Sequence, residues 1–145
     1  MKRYVVILLF NIDMSKVLLI KRKRNPYLNL YNGIGGKIED GESKFDCCIR
    51  ETKEEINVNL CCPKQLVTCV YPENDKFKYN SNVELNVFYD VIKENVFEEN
   101  DEGTFEWLKV DFVLNANNKL IAGYGNVGIF MREILHIENK YDFYN

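Results

Sequence analysis

Histidine occurs once in the 145 residues, as His136. A Ser-His-Asp or Cys-His nucleophilic arrangement would have to use it, yet it lies in a late amphipathic stretch with no catalytic partner beside it. It therefore reads as structural, and acid-base work falls to carboxylates. No Cys-x-x-Cys spacing occurs among Cys47, Cys48, Cys61, Cys62 and Cys69; their number is odd, and two pairs are sequence neighbours. That pattern argues against both a disulfide framework and a zinc cluster, and predicts buried free thiols. A positive excess is missing too: 19 basic against 22 acidic residues leave a net charge of −3, which speaks against a general nucleic-acid or anionic-membrane surface. The apolar run in MKRYVVILLFN is too short for a membrane span and has no small-residue cleavage site, so it reads as a strand of a cytoplasmic protein. No internal repeat, low-complexity tract or interdomain linker is visible, and the length suits one domain over residues 1–145.

The periodicity predicts strands over Arg3 to Phe10 and Lys16 to Lys21, joined by a turn at Asn11 to Ser15. Further strands are expected over Gln65 to Tyr71, Val83 to Ile92 and Thr104 to Val110. Alternation in the second of these sets Val83, Leu85, Val87 and Tyr89 against Glu84, Asn86, Phe88 and Asp90. Pro72 to Asn82 reads as a loop, and Glu94 to Glu102 as a mobile acidic connection. Asp111 is a cap candidate for a short helical turn. Gly123 to Asn126 breaks the chain before a last helix, about Val127 to Ile137, with Val127, Phe130, Ile134 and Ile137 as its packing face.

Two stretches have the makings of a site. The run Lys21-Arg22-Lys23-Arg24 is the densest positive patch and leads through Asn25-Pro26 toward Tyr31-Asn32-Gly33-Ile34-Gly35-Gly36-Lys37. Such glycines permit positive φ and close backbone approach, as a binding loop requires. They form neither a Rossmann fingerprint nor a P-loop. The basic run serves either as a solvated strand end or as a nucleotide contact. Ser43 with Asp46 then makes a capping-box pattern for a helix to about Ile56, with Asn57 as a left-handed terminator.

That helix carries Glu51, Glu54 and Glu55 within about 100° of its circumference, beside an apolar arc of Phe45, Ile49, Thr52 and Ile56. Like charges at these spacings each cost roughly a few tenths of a kcal/mol, and the C-terminal macrodipole adds to the cost. The stripe is either a solvated acidic face or a site for a divalent cation, which hard carboxylate oxygens bind well.

Gly36, Glu42, Arg50-Glu51 and Glu54-Glu55 stand at the spacing Gly-x5-Glu-x7-Arg-Glu-U-x-Glu-Glu-x-Gly-U, where U is aliphatic. This resembles the signature of the Nudix hydrolases, in their MutT-like form. Thr52 departs at an aliphatic position and Asn57 at the final glycine. Thr52 keeps a methyl group and Asn tolerates the left-handed region, so both departures are expected to touch stability more than chemistry. The resemblance implies an α/β/α sandwich around a mixed β-sheet. It also implies Mg²⁺ or Mn²⁺ held by the Gly35 carbonyl and by Glu51, Glu54 and Glu55, with Arg50 pairing with Glu42 and helping to orient Glu54.

The implied reaction is hydrolysis of a nucleoside diphosphate linked to another group, with Glu54 as the proton acceptor. Glu102, in the acidic run leading to Trp107, resembles a further ligand. Tyr31 to Lys37 is similar to the aromatic-Asn-Gly-x-Gly-Gly-Lys run of the 8-oxo-dGTP diphosphatase group, in which the Asn bonds the purine edge. Asn32 is thus a base contact or simply a turn residue. Asn126 falls roughly where that group keeps base-recognising acids, and Gly36, Lys37, Arg22 and Lys23 complete the expected nucleotide contacts. Hydrolysis of ADP-ribose or dinucleoside polyphosphates is the enzymatic alternative. A catalytically silent nucleotide-binding regulator is the alternative from another class.

Overall fold

Residues Val5 to Phe10 are apolar without interruption, so neither face of this strand can be offered to water, and all are buried. The computed structural model, which describes residues 1–73, 81–115, 119–122 and 126–140, places this strand in the middle of a mixed sheet. In chain order the described elements are β1 (Lys2–Phe10), β2 (Lys16–Arg22), β3 (Tyr31–Asn32), β4 (Ile34–Lys37), α1 (Lys44–Ile56), β5 (Lys64–Tyr71), β6 (Val83–Val91), β7 (Gly103–Lys109), α2 (Val110–Asn115) and α3 (Asn126–Ile137). Val6, Leu8 and Phe10 face one core, closed by Val110 and Val113 of α2 and Val127, Met131, Ile134 and Leu135 of α3. Val5, Ile7 and Leu9 face the other, closed by Cys47, Cys48 and Ile56 of α1. The result is the expected α/β/α sandwich, with each buried aliphatic side chain contributing roughly 1.5–3 kcal/mol. Among the described residues, no helix is long and apolar enough to cross a membrane.

β1 runs parallel to β6 along its whole length and antiparallel to β2 only at Leu9↔Leu18 and Phe10↔Val17. Beyond that hairpin end the two strands part. β4 fills the gap along β1 (Tyr4↔Lys37 to Ile7↔Ile34), and β3 fills it along β2 (Ile20↔Asn32, Lys21↔Tyr31). The glycine run, read as a binding loop permitting positive φ and close backbone approach, is therefore mostly strand, and it shows the close approach without the positive φ. Among the described glycines only Gly41 has positive φ, at 78°. The glycines of β4 answer a steric demand instead: a Cβ on Gly35 would lie 2.1 Å from the Val5 carbonyl oxygen.

α1 begins and ends where its capping residues stand. The Ser43 hydroxyl accepts from the Asp46 N–H at 3.0 Å, and Asn57 adopts φ 57°, ψ 36° while its N–H donates to the Lys53 carbonyl. Its buried arc, however, is Cys47, Cys48, Glu51, Thr52 and Ile56, and Phe45 is 39% exposed. The helix is rolled toward β4, where the Cys47 thiol donates to the Lys37 carbonyl at 3.6 Å. The Thr52 hydroxyl is satisfied within the core by the Cys48 carbonyl at 2.9 Å.

Several other expectations are corrected. Only Cys47 and Cys48 are fully buried, with burial pushing both thiols up to about 12. Cys61 and Cys62 are exposed because they sit in the connection from α1 to β5, and Cys69 is half-buried. On α3, Ile137 is 53% exposed, and Met131 and Leu135 complete the packing face in its place. Asp111 lies inside the first turn of α2, which starts at Val110, rather than ahead of it. The acidic segment is anchored: Glu94 accepts from Lys16 at 3.0 Å and from Asn11 at 3.0 Å, and the Trp107 indole donates to the Asn95 carbonyl at 2.8 Å. Most of the Pro72 to Asn82 loop, residues 74–80, and the break at 123–125 lie outside the described residues.

Asn57 supplies a test of the helix stop. Asn57→Gly should leave stability within about 0.5 kcal/mol of the parent or raise it slightly. Asn57→Val should cost about 1–2 kcal/mol, because a β-branched side chain resists the left-handed region. Urea denaturation of the three proteins measures both changes.

Candidate active site

The acidic stripe of α1 is held by one guanidinium. Arg50 Nε donates to Glu42 Oε2 at 2.7 Å and Nη2 to Glu42 Oε1 at 3.0 Å, a two-pronged ion pair that fastens the turn before α1 to the helix. Nη2 also donates to the Lys37 carbonyl at 3.1 Å, and Nη1 donates to Glu51 at 3.0 Å and to Glu54 at 3.2 Å. Arg50 thereby holds the Glu42 carboxyl down to about 2, and its own pKa is raised by the same bonds.

The three stripe carboxylates differ in depth. Glu51 is 9% exposed, Glu55 is half-buried and Glu54 projects into solvent. A Cβ on Gly36 would stand 2.1 Å from Glu51 Oε1, so the glycine leaves the space that the carboxylate occupies. Burial raises the Glu51 pKa against the pull of Arg50, and Glu54 and Glu102 push in the same direction as burial. Glu55 is raised to about 7 by burial and by the Glu102 carboxyl hydrogen-bonded to it. Glu102 thus reaches α1 from the turn before β7, as expected from its place ahead of Trp107. Asn100, which sequence reading passed over, donates to Glu55 Oε2 at 2.9 Å.

Glu51, Glu54, Glu55 and Glu102 are hard acceptors crowded together, with one guanidinium among them. That donor chemistry suits a divalent cation. As the side chains stand, no three acidic, cysteine or histidine groups among the described residues already converge on one point. Glu51 is turned toward Arg50, and Glu55 toward Asn100 and Glu102.

A cleft of about 1030 Å³ opens where β1 and β2 part. Gly35, Gly36, Glu55 and Glu102 line it, and Arg22 and Asn32 line it from β2 and β3. Tyr4, Val6 and Leu8 of β1, with Val83 and Leu85 of β6, also line it, as do Asn126, Val127 and Phe130 of α3. Asn126 donates to the Tyr71 hydroxyl at 3.1 Å, which joins α3 to β5 across the cleft. Asn32 Oδ1 accepts from the Gly33 N–H at 2.8 Å where β3 passes into β4.

Lys23 and Lys37 stand outside the lining. Lys23 pairs with Glu99 and donates its backbone N–H to the Glu102 carbonyl at 2.8 Å; Lys37 contributes its carbonyl to Arg50. Tyr71 and Asn100 could not be picked from periodicity, because each matters through a partner distant in sequence. The one local sign for Asn100 was an amide just ahead of the acidic ligand candidate.

The Glu42–Arg50 pair makes a pH-dependent prediction. Because the folded Glu42 pKa is depressed from 4.5 to about 2, its contribution is complete above 4.5 and is lost as pH falls through about 2. Glu42→Gln should destabilise by about 2 kcal/mol at neutral pH. Urea unfolding of both proteins from neutral pH downward should show that gap narrowing across the acid range.

The sequence profile of the NUDIX domain matches residues 1–124. An ADP-ribose pyrophosphatase of Methanocaldococcus jannaschii is 46% identical over 41 residues, a stretch that makes up 28% of this chain and 24% of that protein. Among solved structures, a mutator MutT protein of Bacillus halodurans is similar at 25% identity with a TM-score of 0.73, covering 94% of this chain and 83% of that one. The NUDIX domain of Shewanella oneidensis NrtR, solved with ADP-ribose, shares the fold at 21% identity and a TM-score of 0.70, with coverage of 92% and 87%. With the profile spanning most of its length and the signature carboxylates gathered around Arg50, this chain belongs to the Nudix hydrolase family and is a MutT-like member of it.

Proposed function

We propose that this chain is a divalent-metal-dependent pyrophosphohydrolase of the cytoplasm. It cleaves a nucleoside triphosphate, with oxidised purine nucleotides such as 8-oxo-dGTP as the favoured class, to the monophosphate and pyrophosphate. Such a reaction would clear damaged nucleotides from the pool. One observation carries the reading: the Glu55–Glu102 pair and the Gly35-Gly36 backbone line the same cleft as the amides of Asn32 and Asn126 and the ring of Phe130. Phosphate chemistry and base recognition thus have room in one continuous space.

Mg²⁺ or Mn²⁺ suits the carbonyl of Gly35 and the carboxylates of Glu51, Glu54, Glu55 and Glu102. When bound it supplies charge neutralisation for the pyrophosphate oxygens and acidifies water. The chain's own groups do the rest. Arg50 holds Glu51 and Glu54 in fixed directions through Nη1. Glu54, open to solvent beside that guanidinium, accepts the proton of the attacking water. Arg22 offers positive charge to the phosphate chain from the cleft wall, whereas Lys23, paired with Glu99, and Lys37 lie outside the lining. Asn32 has committed its oxygen to Gly33, which leaves its amide NH₂ to donate to a purine acceptor.

The short match to an ADP-ribose pyrophosphatase supports ADP-ribose as the second candidate substrate. A silent nucleotide-binding regulator would be expected to lose the acidic stripe, whereas Glu51, Glu54, Glu55 and Arg50 are all retained.

Turnover of a nucleotide panel in Mg²⁺, containing 8-oxo-dGTP, ordinary triphosphates, ADP-ribose and dinucleoside polyphosphates with products identified, tests the substrate class. Glu54→Gln should lower kcat by about 100- to 10,000-fold with an unchanged melting curve; near-normal turnover would remove Glu54 from the chemistry. Asn32→Ala should shift the kcat/KM ratio of oxidised to normal purine nucleotide by about tenfold, the value of one lost hydrogen bond. An unchanged ratio would leave Asn32 as a turn residue.

A further inference from the structure

Asn100 touches both halves of the acidic cluster, bonding Glu55 through its amide nitrogen and Glu102 through its amide oxygen. Its Oδ1 accepts from the N–H groups of Glu102 at 2.8 Å and Gly103 at 3.2 Å, and its own N–H donates to the Gly103 carbonyl at 3.0 Å. Its Nδ2 donates to Glu55 Oε2 at 2.9 Å. This orientation is chemically forced: turned over, the amide would set NH₂ against two N–H donors and an oxygen against a carboxylate. The turn it closes is pinned from outside as well. Lys23 donates its backbone N–H to the Glu102 carbonyl at 2.8 Å, and Arg24 Nε donates to the Asp101 carbonyl at 3.2 Å. One half-buried side chain therefore fixes the backbone that presents Glu102 and, in the same plane, aims the Glu55 carboxylate of α1.

We propose that Asn100 is a positioning residue that sets Glu55 and Glu102, which come from elements distant in sequence, in the relative placement needed to bind a divalent cation. This inference rests on the reading of the acidic cluster as a cation site. An aspartate in the same place would keep the turn but direct an oxygen at Glu55, and a serine would keep a turn acceptor but fall short of the helix. Only a side chain with acceptor and donor side by side at this length does both.

The test is Mn²⁺ binding to the whole chain, followed by the electron paramagnetic resonance signal of free Mn²⁺, with the melting curve of each metal-free protein as the control for folding. Asn100→Ser should bind Mn²⁺ about tenfold more weakly than the parent, as loss of a partner behind a ligand commonly does. In a Glu55→Gln background the same substitution should change affinity by less than about twofold, because its effect runs through Glu55. Should the serine variant fail to fold, Asn100→Thr, which keeps the hydroxyl acceptor, is read in the same way. Unchanged Mn²⁺ affinity, or an equal loss in both backgrounds, would overturn the positioning role and leave the cation site standing. Failure of the parent protein itself to bind Mn²⁺ would overturn the cation-site reading, and this proposal with it.

Discussion

A single guanidinium on α1 faces acceptors from three places at once: the Glu42 carboxylate in the preceding turn, the Lys37 carbonyl at the end of β4, and Glu51 and Glu54 along its own helix. The arrangement of the site depends on it. Glu51 is nearly buried, and an unpaired buried charge would cost several kcal/mol. Arg50 supplies the partner without leaving the helix. In doing so it ties the glycine strand, the turn and the stripe into one rigid piece. Yet one positive charge does not balance Glu42, Glu51 and Glu54, and Glu55 with Glu102 adds further negative density beside them. The surplus explains why the same cluster that is costly to the bare helix is suited to a divalent cation.

The second constraint is the parting of β1 from β2. Both strands are buried on both faces, so the gap between them could not remain an open tear in a sheet. β3 and β4 close it, and they do so at such short range that side chains at Gly35 and Gly36 would strike the Val5 carbonyl and the Glu51 carboxylate. The glycines therefore serve closeness, and closeness brings the backbone of β4 to the carboxylates. The cleft is what the parting leaves on the α3 side of the sheet. Along its neutral wall β6, lying parallel to β1, carries Val83 beside Lys2 and Leu85 beside Tyr4.

Much of this was legible beforehand, and the residues explain why. Ser43 and Asn57 are capping residues whose effect is local, so α1 starts and stops where its sequence says. The alternation of β6 and the unbroken apolar run of β1 reflect burial that any sheet would demand. Which arc of α1 faces the core was not local. Phe45 is the more apolar residue, but the approach of β4 rolls the helix onto Cys47 and Cys48. Glycine likewise carries two meanings, left-handed freedom and absence of bulk, and only the neighbouring strand distinguishes them. The acidic connection reads as solvent-loving by composition, while its anchorage through Glu94, Asn95 and Asn100 involves partners that lie outside it, in β2, β7 and α1.

By itself the sequence determined the family signature, the ends of the helix that bears it, and the three carboxylates of its stripe. Those are matters of spacing within one element or one motif, where covalent geometry sets the outcome. The tertiary structure alone decided their depths, the meeting of Glu102 with Glu55, the bridge made by Asn100 and the joining of Asn126 to Tyr71. Each is a contact between segments that the chain brings together only by packing two helical layers on a divided sheet. Spacing along a sequence says which groups are present, while burial and approach set how strongly each is charged and what it can reach.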